Sequence, residues 1–213
     1  MVNSKVENVE IGRVLRASTA GFAIGCRVSQ LSLPSFGSLV KAQPVEARES
    51  IYGLIYDMHI DDDPLVQRLV LAEAPRQSVI EDQRSNRLLP IEMSVLSIGY
   101  RQNGRLSHGL PPRPPLNLDP VFLCQEQEEV RQFTEETGYL RMILRNVGGP
   151  VPVDQLLVAH IKDCLELRGQ DMAWAVRTIE KLIDLLRNDY DLLVPTLEAI
   201  SDALPSLEPM ELL

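Results

Sequence analysis

Between Leu110 and Pro120 the chain places five prolines, and Pro111-Pro112-Arg113-Pro114-Pro115 is nearly unbroken. Proline locks φ and donates no backbone hydrogen bond, so this stretch can be neither helix interior nor central strand. It is expected to run extended, as a semi-rigid tether over residues 110–125. Pro112 to Pro115 also fits PxxP, a ligand pattern for aromatic grooves, but that pattern is short and common and the tether is the favoured reading. The stretch divides the chain because the hydrophobic period differs on its two sides.

Before it, the patterning is that of strands. Ile11 to Ala17 and Phe22 to Val28 read as alternating apolar and polar residues on either side of the Ser18–Gly21 turn cluster, which predicts a hairpin. Ser38–Ala42, Ser50–Met58 and Glu92–Tyr100 follow as strands. Gly53 suggests a bend of the kind needed where a sheet closes on itself. Asn103-Gly104 predicts a tight hairpin turn, with Arg105–His108 returning. One helical insert is expected at 63–75, with Asp63 as N-cap, Pro64 at the first helical position and Pro75 as its end.

After the tether the period becomes 3.6. Helices are expected over Glu126–Thr137, with Gly138 as the stop; over Tyr139–Leu144, which also fits a strand but is read as helix; over Val153–Arg168, closed by Gly169; from Asp171 to about Leu186; and from Val194-Pro195 to Leu204. Short connections between them imply antiparallel neighbours and a small bundle.

Charge divides the chain at the same place. Residues 1–125 carry 13 acids and 13 bases, whereas 126–213 carry 17 acids against 8 bases, a net of −9. The acidic part should repel a phosphate backbone, which disfavours nucleic-acid binding there. No apolar run approaches the roughly 18 residues needed to span a bilayer, so no membrane span is expected. The first residues show no signal peptide. Cys26, Cys124 and Cys164 are scattered and odd in number, as expected of buried thiols in a reducing cytoplasm.

Ile11-Gly12-Arg13-Val14, Phe22, Gly37-Ser38-Leu39-Val40 and Tyr52-Gly53-Leu54-Ile55, with the proline-rich exit after Gly109, resemble the HAS barrel. This is the small β-barrel shared by HerA-type DNA-translocating ATPases and rotary ATP synthases. The resemblance covers about residues 9–120 and implies a barrel that contacts copies of itself or a partner protein. It stops short of the ATPase domain. None of the four lysines, Lys5, Lys41, Lys162 and Lys181, follows a glycine, so no GxxxxGK[ST] loop exists to cradle phosphates and ATP binding is not expected. The expected fold class is therefore α+β: a small closed β-barrel at 1–109, the 110–125 tether, and an acidic α-helical bundle at 126–213.

Candidate chemistry is sparse. His59, Asp61 and Asp63 would point the same way on an extended strand and could hold a divalent ion, although Asp63 already serves as an N-cap and a solvated acidic loop is the favoured reading. His108 and His160 read as partly buried histidines. Arg76, Arg84, Arg87, Arg101, Arg105 and Arg113 form a mildly basic region, but Tyr100 is its single aromatic and stacking platforms for single strands are missing. Trp174 and Leu193 are the candidate partner contacts of the helical part. No catalytic residue and no cofactor are assigned. The favoured function is a non-enzymatic interaction or assembly module, making contact through self-association or with a protein partner, and accessory to a HerA-like ATPase or nuclease system. The alternatives are a metal-dependent hydrolase or small-ligand enzyme using His59, Asp61 and Asp63, and a nucleic-acid accessory protein.

Overall fold

In the computed structural model the described residues are 9–27, 34–44, 49–60, 71, 76–78, 90–146 and 148–205. Seven strands occur among them: β1 (Val9–Ala17), β2 (Gly21–Arg27), β3 (Leu39–Ala42), β4 (Glu49–Ile60), β5 (Pro90–Gln102), β6 (Arg105–Ser107) and β7 (Pro120–Leu123). Five helices follow: α1 (Gln127–Thr134), α2 (Leu140–Leu144), α3 (Val153–Leu167), α4 (Met172–Leu186) and α5 (Tyr190–Ala203). The fold is α+β, as the change of period implies. The insert expected at 63–75 lies outside the described residues apart from Leu71, which is exposed.

Six strands pair in the order β2-β1-β7-β3-β4-β5, and β5 pairs back onto β2, so the sheet closes into an antiparallel barrel with no free edge. β6 extends from β5 through Asn103-Gly104, whose φ values of 51° and 80° are those of the tight hairpin turn read from the sequence. The interior is packed with Ile11, Val14, Phe22, Ile24, Val40, Ile51, Ile55, Met93, Val95, Val121 and Leu123. It is a core rather than a channel.

β1 does not keep the strict alternation expected of it. Ile11 and Val14 both point inward although they are three residues apart, and Leu15 is 44% exposed. Register shifts between Glu10 and Gly12 and between Val14 and Arg16 account for this, because each bulge inserts a residue and resets the face. Gly12 lies where β1 presses on β2: a Cβ there would stand 2.4 Å from the Gly25 carbonyl oxygen and 2.7 Å from the Ile24 side chain. A backbone oxygen inside a closed barrel cannot step aside. Gly12→Ala is therefore expected to cost about 2–3 kcal/mol, the scale of an overpacked core. Chemical denaturation checks this, and a loss below about 0.5 kcal/mol would show that the seam is compliant.

The segment expected to be a tether needs correction at its end. Pro111 and Pro115 are buried against the body, and Pro120–Leu123 forms β7, which fills the gap between β1 and β3. Pro120 opens the strand, where a missing N–H is tolerated, and its carbonyl accepts the Gln43 N–H at 3.1 Å. A four-residue strand behind four prolines, and itself opening on a fifth, leaves no periodic signal.

The helices lie against the outer face of the barrel wall. Leu39, Tyr52, Leu54, Leu96, Ile98 and Cys124 of the wall share one apolar cluster with Val130, Phe133, Tyr139, Ile143, Leu157, Ile161, Leu165 and Trp174 of the helical part. α3 ends at Gly169 as predicted: with φ of 73°, Gly169 donates to Glu166, and Gln170 donates to Leu165, the paired bonds of a left-handed helix stop. α5 starts earlier than predicted, because Asp189 caps it by accepting the Leu192 N–H and Pro195 is accommodated within it. α1 stops at Thr134, before Gly138; Gly138 instead lies in a short 3-10 turn against His108.

Candidate functional site

The residues singled out in the sequence do not converge. His59 is exposed on β4, opposite Glu92 of β5, while Asp61 and Asp63 lie outside the described residues. Among the described residues no three His, Cys, Asp or Glu side chains are grouped to hold a metal ion. Trp174 and Leu193, expected as partner contacts, are core residues, 1% and 7% exposed. The Trp174 indole N–H donates to the Thr134 carbonyl at 2.9 Å, so its polar edge is also committed inward. A position one step off an apolar stripe remains buried here because α4 is flanked by α1 as well as by α3. Of the basic region, Arg101 donates to Gln132 and Arg113 to Glu49, and Arg84 and Arg87 lie outside the described residues.

Three buried polar groupings join the barrel to the helices. Lys41 of β3 donates to both Glu129 carboxylate oxygens of α1 at 2.7 and 2.6 Å, and the Tyr52 hydroxyl donates to the same carboxylate at 3.0 Å. Burial, reinforced by the Glu129 charge, pushes the Tyr52 phenol well above its ordinary range, which keeps it a donor. His160 of α3 donates from Nδ1 to the Gly37 carbonyl at 3.3 Å and accepts the Tyr139 hydroxyl at Nε2, 3.2 Å away. Burial lowers its pKa to about 4 despite the Gly37 bond, so the ring is neutral at pH 7. Arg168, 2% exposed, donates to Thr134 Oγ1, the Arg131 carbonyl, Glu135 and Asp171, and stacks 4.9 Å from the Trp174 ring. Apart from the buried Arg168 Nε, which has no hydrogen-bond partner among the described residues, these sets are satisfied by protein groups, and each serves to hold helices to the barrel or to one another.

The surface offers one better candidate. A cleft of about 390 Å³ opens between the β1–β2 hairpin, the outer faces of β4 and β5, and the approach to α3. Leu96, Pro150 and Val151 contribute apolar wall; Arg16, Tyr56, Ser94 and Asn146 contribute polar groups. The bulges create this lining. β1 is offset between Val14 and Arg16, and β4 between Ile55 and Asp57, which leaves Tyr56 as the extra residue opposite Val95 and Ser94. The Ser94 and Tyr56 hydroxyls have no hydrogen-bond partner among the described residues, and Asn146 uses its amide nitrogen on the Met142 carbonyl, leaving its oxygen to the cleft. Arg16 reaches across β2 and grips Glu92 with both terminal nitrogens, Nη1 to Oε2 at 2.6 Å. None of these four residues stood out in the sequence. They come from four separate segments, and their signal, a broken alternation in two strands, is visible only once the register is known.

Compared with profiles of known families and with curated proteins, the chain shows no match to either.

Proposed function

We propose that this protein is a non-enzymatic assembly or interaction module whose barrel makes the contact, in the manner of the HAS barrel it resembles. The observation that carries the reading is the turn at Leu116–Asp119. The Asp119 carboxylate accepts the Leu116 N–H at 2.7 Å, Asp119 N–H returns to the Leu116 carbonyl, and Leu118 N–H and the Asp119 carbonyl both bond to Val14 of β1. Leu118 is held at φ of 71°, a left-handed conformation that leucine rarely adopts. This stitched and strained turn fixes Leu116 and Leu118 at 64% and 68% exposure on the barrel wall. Exposed apolar side chains on a rigid mount suit a docking surface, and strain of this kind is retained where the surrounding structure enforces it.

Under this reading the partner is a second copy of the chain or a protein such as a HerA-like ATPase or its nuclease, met in a reducing cytoplasm consistent with three free, buried thiols. Among the described residues no helix is long and apolar enough to cross a membrane. Light scattering on the full chain tests the proposal. The expected result is a mass of at least a dimer, or a stoichiometric complex with a purified HerA-type ATPase, that is lost in the Leu116→Glu, Leu118→Glu double variant. A monomeric wild type that forms no such complex, or a complex indifferent to the double variant, overturns it.

A further inference from the structure

The cleft beside the β1–β2 hairpin has the composition of a small-ligand site: apolar walls, a few convergent polar groups and a volume of about 390 Å³. Its polar groups also specify what it takes. Arg16 offers a guanidinium fork, which can only donate, and the Tyr56 and Ser94 hydroxyls can donate beside it. A rim of donors over an apolar floor of Leu96, Pro150 and Val151 suits a ligand with an acceptor-rich head and an apolar body. Planar two-pronged donation is the geometry in which arginine receives a carboxylate.

That geometry is already occupied, by the protein's own Glu92. Arg16 is 67% exposed at its side chain and Glu92 is 22% exposed, so the pair stands at the rim rather than in the core. An exposed pair of this kind contributes little to stability and is open to exchange. His59 of β4 stands opposite Glu92 in register. The Arg16 hydrogen bonds, and behind them the His59 charge, favour the ionised form of Glu92. From this arrangement we propose that the cleft binds a carboxylate borne on an apolar body, the ligand's carboxylate taking on Arg16 the place that Glu92 now holds. Tyr56 and Ser94 add donors to the same head group, and the apolar body lies on Leu96 and Val151.

The carboxylate could belong to a free small acid or to the C-terminal residue of a peptide, and two probes distinguish these sources. The full chain is titrated calorimetrically with 3-phenylpropionate and with an N-acetylated tetrapeptide ending in phenylalanine, each beside its carboxamide. The acid is expected to bind and the amide to bind at least tenfold more weakly. Glu92→Gln, which removes the internal competitor, is expected to tighten binding at least threefold, and Arg16→Gln to weaken it at least tenfold. A merely structural role for the Arg16–Glu92 pair predicts no such opposition in sign. Tighter binding of the peptide acid than of 3-phenylpropionate identifies a chain end as the ligand; the reverse order identifies a small acid. Equal binding of acid and amide, unchanged binding in Arg16→Gln, or no binding to Glu92→Gln at millimolar concentration overturns the proposal.

Discussion

Arg168→Leu is expected to lower the stability of the chain by about 3 kcal/mol, and Arg168→Lys to recover less than half of that loss. The guanidinium is 2% exposed and sits where α1, α3 and α4 meet. Nη1 donates to Thr134 Oγ1 at 2.9 Å and to the Arg131 carbonyl at 3.3 Å; Nη2 donates to Glu135 and Asp171, both at 2.8 Å. Its face lies on Trp174, and the Arg131 side chain donates back to the Arg168 carbonyl at 2.7 Å. Glu135 and Asp171 are 56% and 24% exposed, so water can replace the arginine for them. The larger loss comes from the buried Thr134 hydroxyl, the Arg131 carbonyl and the packing on Trp174, none of which leucine restores. A lysine ammonium cannot reach four acceptors from one planar fork. Urea denaturation measures the effect, and a loss below about 1 kcal/mol for Arg168→Leu would show that the hub is redundant.

This hub also marks the limit of what the sequence discloses. An arginine just before Gly169 at a helix end reads as an ordinary cation near a negative dipole. Its burial depends on Thr134 and Glu135, more than thirty residues away, which only the packing of α1 onto α3 supplies. The same holds for the cleft, whose Arg16, Tyr56, Ser94 and Asn146 meet through bulges and barrel closure. Period and punctuation were enough to tell strands from helices, though not for the inner face of β1, the end of α1 or the start of α5. The Asn103-Gly104 turn, the Asp171 cap and the Gly169 stop fall where local chemistry requires them, and the strand-to-helix change falls on the correct side of the prolines. Periodicity failed for β7, too short to show a period, and for Trp174, where a second neighbouring helix widens the buried face beyond a single stripe.

Two titrating groups on α3 pull the stability in opposite directions, and separating them is expected to expose a hidden pH dependence. His160 has a folded pKa of about 4, lowered from its ordinary 6.5 because burial disfavours its charged form. Below about pH 6.5 the unfolded chain takes up a proton that the folded chain refuses. His160 therefore contributes full stability above that pH and loses about 3 kcal/mol of it as pH falls toward 4. Asp163 behaves in the opposite sense. Burial, and then the Glu166 charge, raise its pKa from 3.8 to about 6, so the folded chain holds a proton that the unfolded chain releases. Its contribution falls as pH rises from about 4 to 6, by about 1–2 kcal/mol for a carboxyl that solvent partly reaches. Asp163 lines a hollow with Ser35, Phe36, Lys162 and Glu166, and no hydrogen bond holds it among the described residues. In the wild type the two slopes oppose each other between pH 4 and 6. Asp163→Asn removes one of them. The variant is expected to be more stable than wild type by about 1–2 kcal/mol at pH 7 and equal to it near pH 4, with a steeper fall between. Denaturation curves from pH 4 to 8 test this; profiles that run parallel for variant and wild type would mean that Asp163 titrates normally in the folded chain.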